Sequence, residues 1–224
     1  MTEIKISEII RTKRRTIALQ VCPDAALIIR APFKASDNYI NRLVERKRRW
    51  ITRRQEAVKQ QNRLIKDKEF VSGEGFMYLG ETYKLYVEGA QCAPLVFDNA
   101  FHLAGDYQAR GRQAFIKWYK EQARYKIPER ASLYLSKTGL QCNKIGITNA
   151  RGRWGSCSRN GNLNFTWRLI MAPLPVIDYV AAHEVAHLEH KNHSREFWNK
   201  VMALAPNYKQ HRKWLRENEH LLRF

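Results

Sequence analysis

Apolar and polar positions change period several times along the chain, and those changes predict its elements. Thr16-Ile17-Ala18-Leu19-Gln20-Val21 and Ala26-Leu27-Ile28-Ile29-Arg30 are rich in aliphatic and β-branched residues. They predict two strands joined by a turn at Pro23-Asp24 and closed by Pro32. From Ser36 and Asp37 the spacing becomes helical, with Ile40, Leu43, Val44, Ile51 and Val58 on one stripe and Trp50 beside it. One long helix running into the sixties is expected. Between Phe70 and Ala104, Gly and short alternating runs return. Phe76-Met77-Tyr78-Leu79 and Tyr83-Lys84-Leu85-Tyr86-Val87 suggest a hairpin through Gly80-Glu81, with one or two further strands near Leu95-Val96-Phe97. A second helical region runs from about Asp106 to Ser136; Pro128 should kink or split it, and Gly139 should cap it.

Ile145 to Asn149 then begins a strand that Arg151 to Ser158 continues, Asn160-Gly161 reads as a two-residue turn, and Leu163 to Trp167 returns. Pro173 and Pro175 open an apolar helix, Val176 to Ala182, with Pro175 and Asp178 suited to its first turns. The fold class expected is α+β. A mixed strand and helix region with one long basic helix occupies 1–105, and a core with a β-hairpin packed beside a helix occupies 106–224. The free edge of that hairpin could pin an extended substrate by backbone hydrogen bonds.

Composition adds constraints. A chain of 224 residues with 44% hydrophobic content can bury a sizeable core. Its formal charge of +19 favours anionic partners such as nucleic acid, nucleotides or acidic peptides. The positive charge is densest on the outer face of the first helix, at Arg42, Arg46, Arg48, Arg49, Arg53, Arg54, Lys59 and Arg63. That face suits phosphate contacts, and it equally suits plain solvation. Lys13, Arg14 and Arg15 could contact an anion, but read better as a solvated strand edge that discourages aggregation. Glu3, Lys5 and Glu8 interrupt the apolar residues at the N-terminus, so no signal peptide is expected. No apolar run is long enough to span a bilayer. Cys22, Cys92, Cys142 and Cys157 are dispersed without a CxxC pair, which argues against a disulfide framework and points to a cytoplasmic protein.

The chemistry concentrates in His183-Glu184-Val185-Ala186-His187-Leu188-Glu189-His190-Lys191-Asn192-His193. On a helix, His183 and His187 stand at i and i+4 and share one face, the spacing at which two imidazoles bind one Zn2+. Glu184 is then placed to activate a metal-bound water. His190 lies two turns from His183, about 10 Å of rise, too far for one tetrahedral ion. His193 can return to the metal if the helix stops after His190, with Lys191-Asn192 as the stop because Asn tolerates a left-handed helix end. The expected ligands are therefore His183, His187 and His193, with His190 beside the site or facing solvent. Arg151 and Arg153 are candidate substrate-binding donors toward a developing oxyanion. Cys157 has no matching triad pattern and reads as a packed thiol.

RWGSCS, GNLNFTWRL, a proline, the IDYV helix, HEVAHL, NHS and FW together resemble the YgjP-type metal-dependent hydrolases, a family related to SprT-like zinc proteases. The likeness is densest from Arg151 to Trp198, and the basic N-terminal half is similar in plan. The resemblance implies a zincin-like catalytic core, zinc at His183, His187 and His193, and Glu184 as base. It leaves the substrate open between peptides and nucleotides, since pyrophosphatase activity toward UTP is also attributed to the family. The histidine spacing equals that of metzincins, but His190 stands where their turning glycine belongs. Three functions follow. The first is a zinc metallopeptidase, the second a metal-dependent nucleotide pyrophosphatase, and the third a nucleic-acid-binding protein whose zinc is structural. Glu184 separates the last from the others, because a closed structural site has no need of a base.

Overall fold

The computed structural model describes residues 4–22, 24–64, 68–89 and 92–224, with side chains described only to residue 60 in the second segment. The expected turn residue Pro23 and the side chain of Arg63 lie outside these. The chain divides into two compact units, Met1–Asp67 and Lys68–Phe224.

In the first unit, β1 (Ile6–Thr12), β2 (Ala18–Val21) and β3 (Leu27–Pro32) form a sheet in the order β1-β3-β2. The hairpin β2–β3 is antiparallel as its pattern predicted, while β1, not anticipated, runs parallel to β3. Leu27, Ile29 and Ala31 alternate inward from β3 and meet Ile40 and Val44 of α1 (Asp37–Arg46) and Ile51 of α2 (Arg48–Leu64). Ser36 caps α1 by accepting from the Tyr39 amide. The single long helix expected here is two. The Lys47 amide turns onto the carbonyls of both Leu43 and Val44 and ends α1. No glycine or proline marks that break, so the hydrophobic stripe runs across it unannounced.

The second unit begins with β4 (Gly75–Tyr78), β5 (Glu81–Glu88), β6 (Leu95–Phe97) and β7 (Phe101–Ala104), ordered β4-β5-β7-β6. Tyr78 pairs with Glu81, so the hairpin turns on Leu79-Gly80, one residue earlier than expected. Both turn residues have positive φ, as a two-residue hairpin turn demands. Phe76 and Phe101 pack on Phe115 of α3 (Gly111–Thr138), with ring centroids 4.0 and 4.9 Å apart. This packing joins 70–104 to the helices that follow, so the division falls at residue 67 and not near 105. Phe115, Tyr119, Ala123, Ile127 and Ala131 form the buried stripe of α3, which continues through Pro128 and ends at left-handed Gly139.

A small second sheet follows, ordered β8-β10-β9, from β8 (Lys144–Thr148), β9 (Gly155–Cys157) and β10 (Asn162–Thr166). The segments expected as one strand, Ile145–Asn149 and Arg151–Ser158, are separated by a loop. β8 lies parallel to β10, and β9 lies antiparallel to it on the other side. The β9–β10 turn is longer than two residues. The Ser158 amide bonds the Asn162 carbonyl, leaving Arg159-Asn160-Gly161 in the loop with Gly161 left-handed at φ 74. Three helices complete the unit: α4 (Leu174–Glu189), α5 (Arg195–Leu204) and α6 (Tyr208–Asn218). The described residues thus form an α+β protein of six helices and three small sheets. No helix among them is long and apolar enough to cross a membrane.

Candidate metal centre

The centre is built on α4, a helix buried almost all round: Val176, Ile177, Val180, Ala181, Ala182, Val185 and Ala186 are all in the core. Pro175 sits in its first turn, where a missing amide costs nothing. Asp178 does more than face the helix dipole. Arg130 of α3 donates to both its oxygens, at 2.6 and 2.8 Å, fastening α4 to α3.

At the other end, α4 stops at Glu189, with His190 extended at φ −113 and ψ 102. The left-handed Asn192 expected here is not found. Instead the Asn192 side chain accepts from the Ser194 amide, and Ser194 caps α5. The turn brings His193 back to His183 and His187. One ring nitrogen from each lies within 4.8 Å of the others. The Nε2 atoms of His183 and His193 are 3.2 Å apart. Bonds of ~2.0–2.1 Å at tetrahedral angles put two zinc ligands about 3.3 Å apart, which the His183–His193 pair matches.

Protonation also suits a cation. Burial first, then His187, His193 and Arg212, push His183 down to about 3. Burial likewise lowers His187. Both imidazoles are therefore neutral at pH 7, as metal ligands must be. The Nδ1–H of His187 donates to the His190 carbonyl at 2.9 Å, which turns Nε2 toward the other rings. His190 thus contributes its backbone, a role its side chain did not advertise. Phe197 of α5 lies under all three imidazoles, with ring centroids 4.3–4.9 Å away. Trp198 stacks on His193, and Tyr208 of α6 stacks on Trp198.

Glu184 is 5% exposed, and its Oε2 has no hydrogen-bond partner. Burial raises its carboxyl to about 8 against a small opposing pull from Arg153. Its room comes from Gly155 on β9. A Cβ at that position would stand 2.6 Å from the Glu184 carboxylate. Sequence reading missed Gly155, although its place inside RWGSCS was a usable signal.

The loop between β8 and β9 carries the two candidate arginines, and three consecutive residues hold it. Thr166 donates to the Ala150 carbonyl at 2.7 Å, while Trp167 and Arg168 both donate to the Asn149 side chain. Arg151 and Arg153 are exposed and separate in effect: Arg153 acts on Glu184, Arg151 on the buried Arg168. Of the two, Arg153 is the one whose charge bears on Glu184. Cys157 on β9 is half-buried; burial raises its thiol more than Lys191, 3.9 Å away, lowers it. All four cysteines are free.

A family model described as YgjP-like, metallopeptidase domain, matches residues 15–218. Among solved structures, the metallopeptidase zymogen of Pyrococcus abyssi abylysin is similar to this chain at 18% identity. The match covers 41% of this chain and 93% of that one, with a TM-score of 0.37 that establishes no common fold. No curated protein matches the chain.

Proposed function

The chain belongs to the YgjP-like metallopeptidase family, and on that premise we propose a zinc peptidase with a zincin-like core. His183, His187 and His193 hold the ion, and Glu184 is the base. The observation that carries this reading is Glu184, a buried carboxyl with an unpartnered oxygen, on the same helix as two of three clustered imidazoles. Among the described residues the cluster offers three donors, one fewer than a closed structural site uses. That disfavours a nucleic-acid-binding protein with a merely structural zinc.

A zinc ion held there would supply a Lewis acid for the scissile carbonyl. Glu184 takes a proton from the attacking water and delivers it to the leaving amine. In the metal-free chain burial raises the affinity of this carboxyl for a proton. His190 keeps His187 in register through its carbonyl. Arg153 faces the charge that develops on the carbonyl oxygen. The free edge of β9 pairs with an extended peptide beside Glu184. Dispersed free thiols suit a reducing compartment, and we place the enzyme in the cytoplasm. The basic faces of α1 and α2 are a candidate nucleic-acid contact that would bring substrate proteins near.

The test compares zinc-loaded wild type with Glu184→Gln on a denatured protein and, separately, on UTP. Peptide cleavage that falls ~10²- to 10⁴-fold in the variant is the expected result. Pyrophosphate release without peptide cleavage would overturn the reading in favour of a nucleotide pyrophosphatase, for which the exposed Arg153 guanidinium is also suited.

A further inference from the structure

The outward face of the small sheet carries a second concavity that neither the histidines nor Glu184 enter. Strand register puts Thr148 opposite Thr166, and Asn164 opposite both Gly146 and Ser156. With Arg153 and Trp154 these side chains line a cavity of about 280 Å³. Its hydrogen-bonding groups are unevenly committed. The hydroxyls of Thr148 and Thr166 donate inward, to the carbonyls of Phe165 and Ala150. Among the described residues the Ser156 hydroxyl and the Asn164 amide make no side-chain hydrogen bond, and the exposed Arg153 guanidinium makes none either, its charge bearing on Glu184 across the strand. No acidic side chain lines the cavity. Three groups able to donate, one of them cationic, with no acidic side chain lining the same cavity, suit an anionic acceptor. The cavity also adjoins the reacting centre. Ser156 follows Gly155, whose α-carbon abuts Glu184, and the charge of Arg153 reaches the same carboxyl.

We propose that this cavity is a specificity subsite for a carboxylate of the peptide substrate. It makes the enzyme select peptides with an acidic group close to the scissile bond, an assignment that rests on the peptidase reading above. A strand added to the edge of β9 alternates its side chains as β9 does. A residue opposite Ser156 therefore faces the cavity, while its neighbours face Glu184. Asn164 and Ser156 fix the position of the carboxylate and Arg153 supplies the charge.

The experiment is an NMR titration of metal-free Glu184→Gln, following the Asn164 side-chain amide. Three capped peptides serve as probes: acetyl-Ala-Asp-Ala-amide, acetyl-Ala-Asn-Ala-amide, and acetyl-Ala-Ala-Ala with a free C-terminus. Carboxylate peptides should bind about tenfold more tightly than the neutral one, the scale of a charge-assisted hydrogen bond. The first and third probes tell a side chain from a chain terminus. Adding Asn164→Leu or Arg153→Met should abolish the preference. Asn164→Leu leaves the net charge unchanged, so a preference that survives it belongs to the overall +19 and overturns the subsite. Equal binding of all three peptides, or an unmoved Asn164 signal, overturns it as well. Hydrolysis is not needed for this readout. Failure of the peptidase reading would show as absent cleavage by the zinc-loaded wild type, whatever the titration gives.

Discussion

The two ends of α4 treat a shielded carboxylate in opposite ways. Near its start, Asp178 is 18% exposed and fully engaged by the fork of Arg130. Six residues later Glu184 is more deeply buried and is left with an unpartnered oxygen. A helix gains nothing in stability from the second arrangement, since an unpaired buried carboxyl is pushed toward its neutral form. Asp178 is what a carboxylate looks like when it anchors an element. Glu184, on the proposed reading, is one kept free for a reactant. His183 and His187 lie on the Glu184 end, so the proposed function would separate anchoring from chemistry along one helix.

The comparison can be broken in graded ways. The largest effect should come from removing a ligand. His187→Ala should weaken zinc binding, measured by titration calorimetry, beyond the ~10- to 100-fold typical of losing a supporting partner. Next is Gly155→Val, which puts atoms where the Glu184 carboxylate stands. Cleavage should drop by roughly 10²-fold, the scale of a displaced catalytic group, with zinc content unchanged. If activity persists, the close approach of β9 to Glu184 is not functional. Asp178→Asn should act on stability alone. About 2 kcal/mol should be lost in urea unfolding because Arg130 loses its charged partner, and cleavage at low temperature should be preserved. A loss of activity at full stability would erase the distinction between the two ends.

The smallest effect concerns pH in the metal-free chain. Glu184 titrates near 8 when folded against 4.5 as its ordinary value, so the folded state holds the extra proton between those limits. Its contribution to stability therefore falls as pH rises through that window. His183 works the other way, since its lowered value makes stability rise from about 3 to 6.5 and then level off. Between pH 6.5 and 8 the slope belongs to Glu184. Melting temperature should decline there in wild type and flatten in Glu184→Gln.

Much of the centre was legible because helical periodicity turns sequence spacing directly into geometry. His183 and His187 needed only an intact helix, and His193 needed only that the helix stop. The stop was harder to read: extended His190 and the Asn192 side chain produce it, and neither depends on a left-handed residue. Strand topology was less legible. Ile145–Asn149 and Arg151–Ser158 read as one strand because local pattern cannot reveal that β10, later in the chain, pairs between them. The break at Lys47 and the strand β1 were hidden for the same reason, each resting on backbone pairing that no side-chain pattern reports. The boundary near 105 followed a change of element type, whereas the compact units follow the aromatic packing of Phe76 and Phe101 on Phe115. Arg151 and Arg153 looked equivalent two residues apart, and only the loop held by Thr166, Trp167 and Arg168 tells them apart.

The measurement that tests the central claim most directly is the peptide-cleavage rate of Glu184→Gln at zinc occupancy matched to wild type. Our account predicts that cleavage collapses while zinc binding and the melting temperature at neutral pH are maintained or improved. A variant that still cleaves at the wild-type rate, or one that fails because it no longer folds, would contradict it.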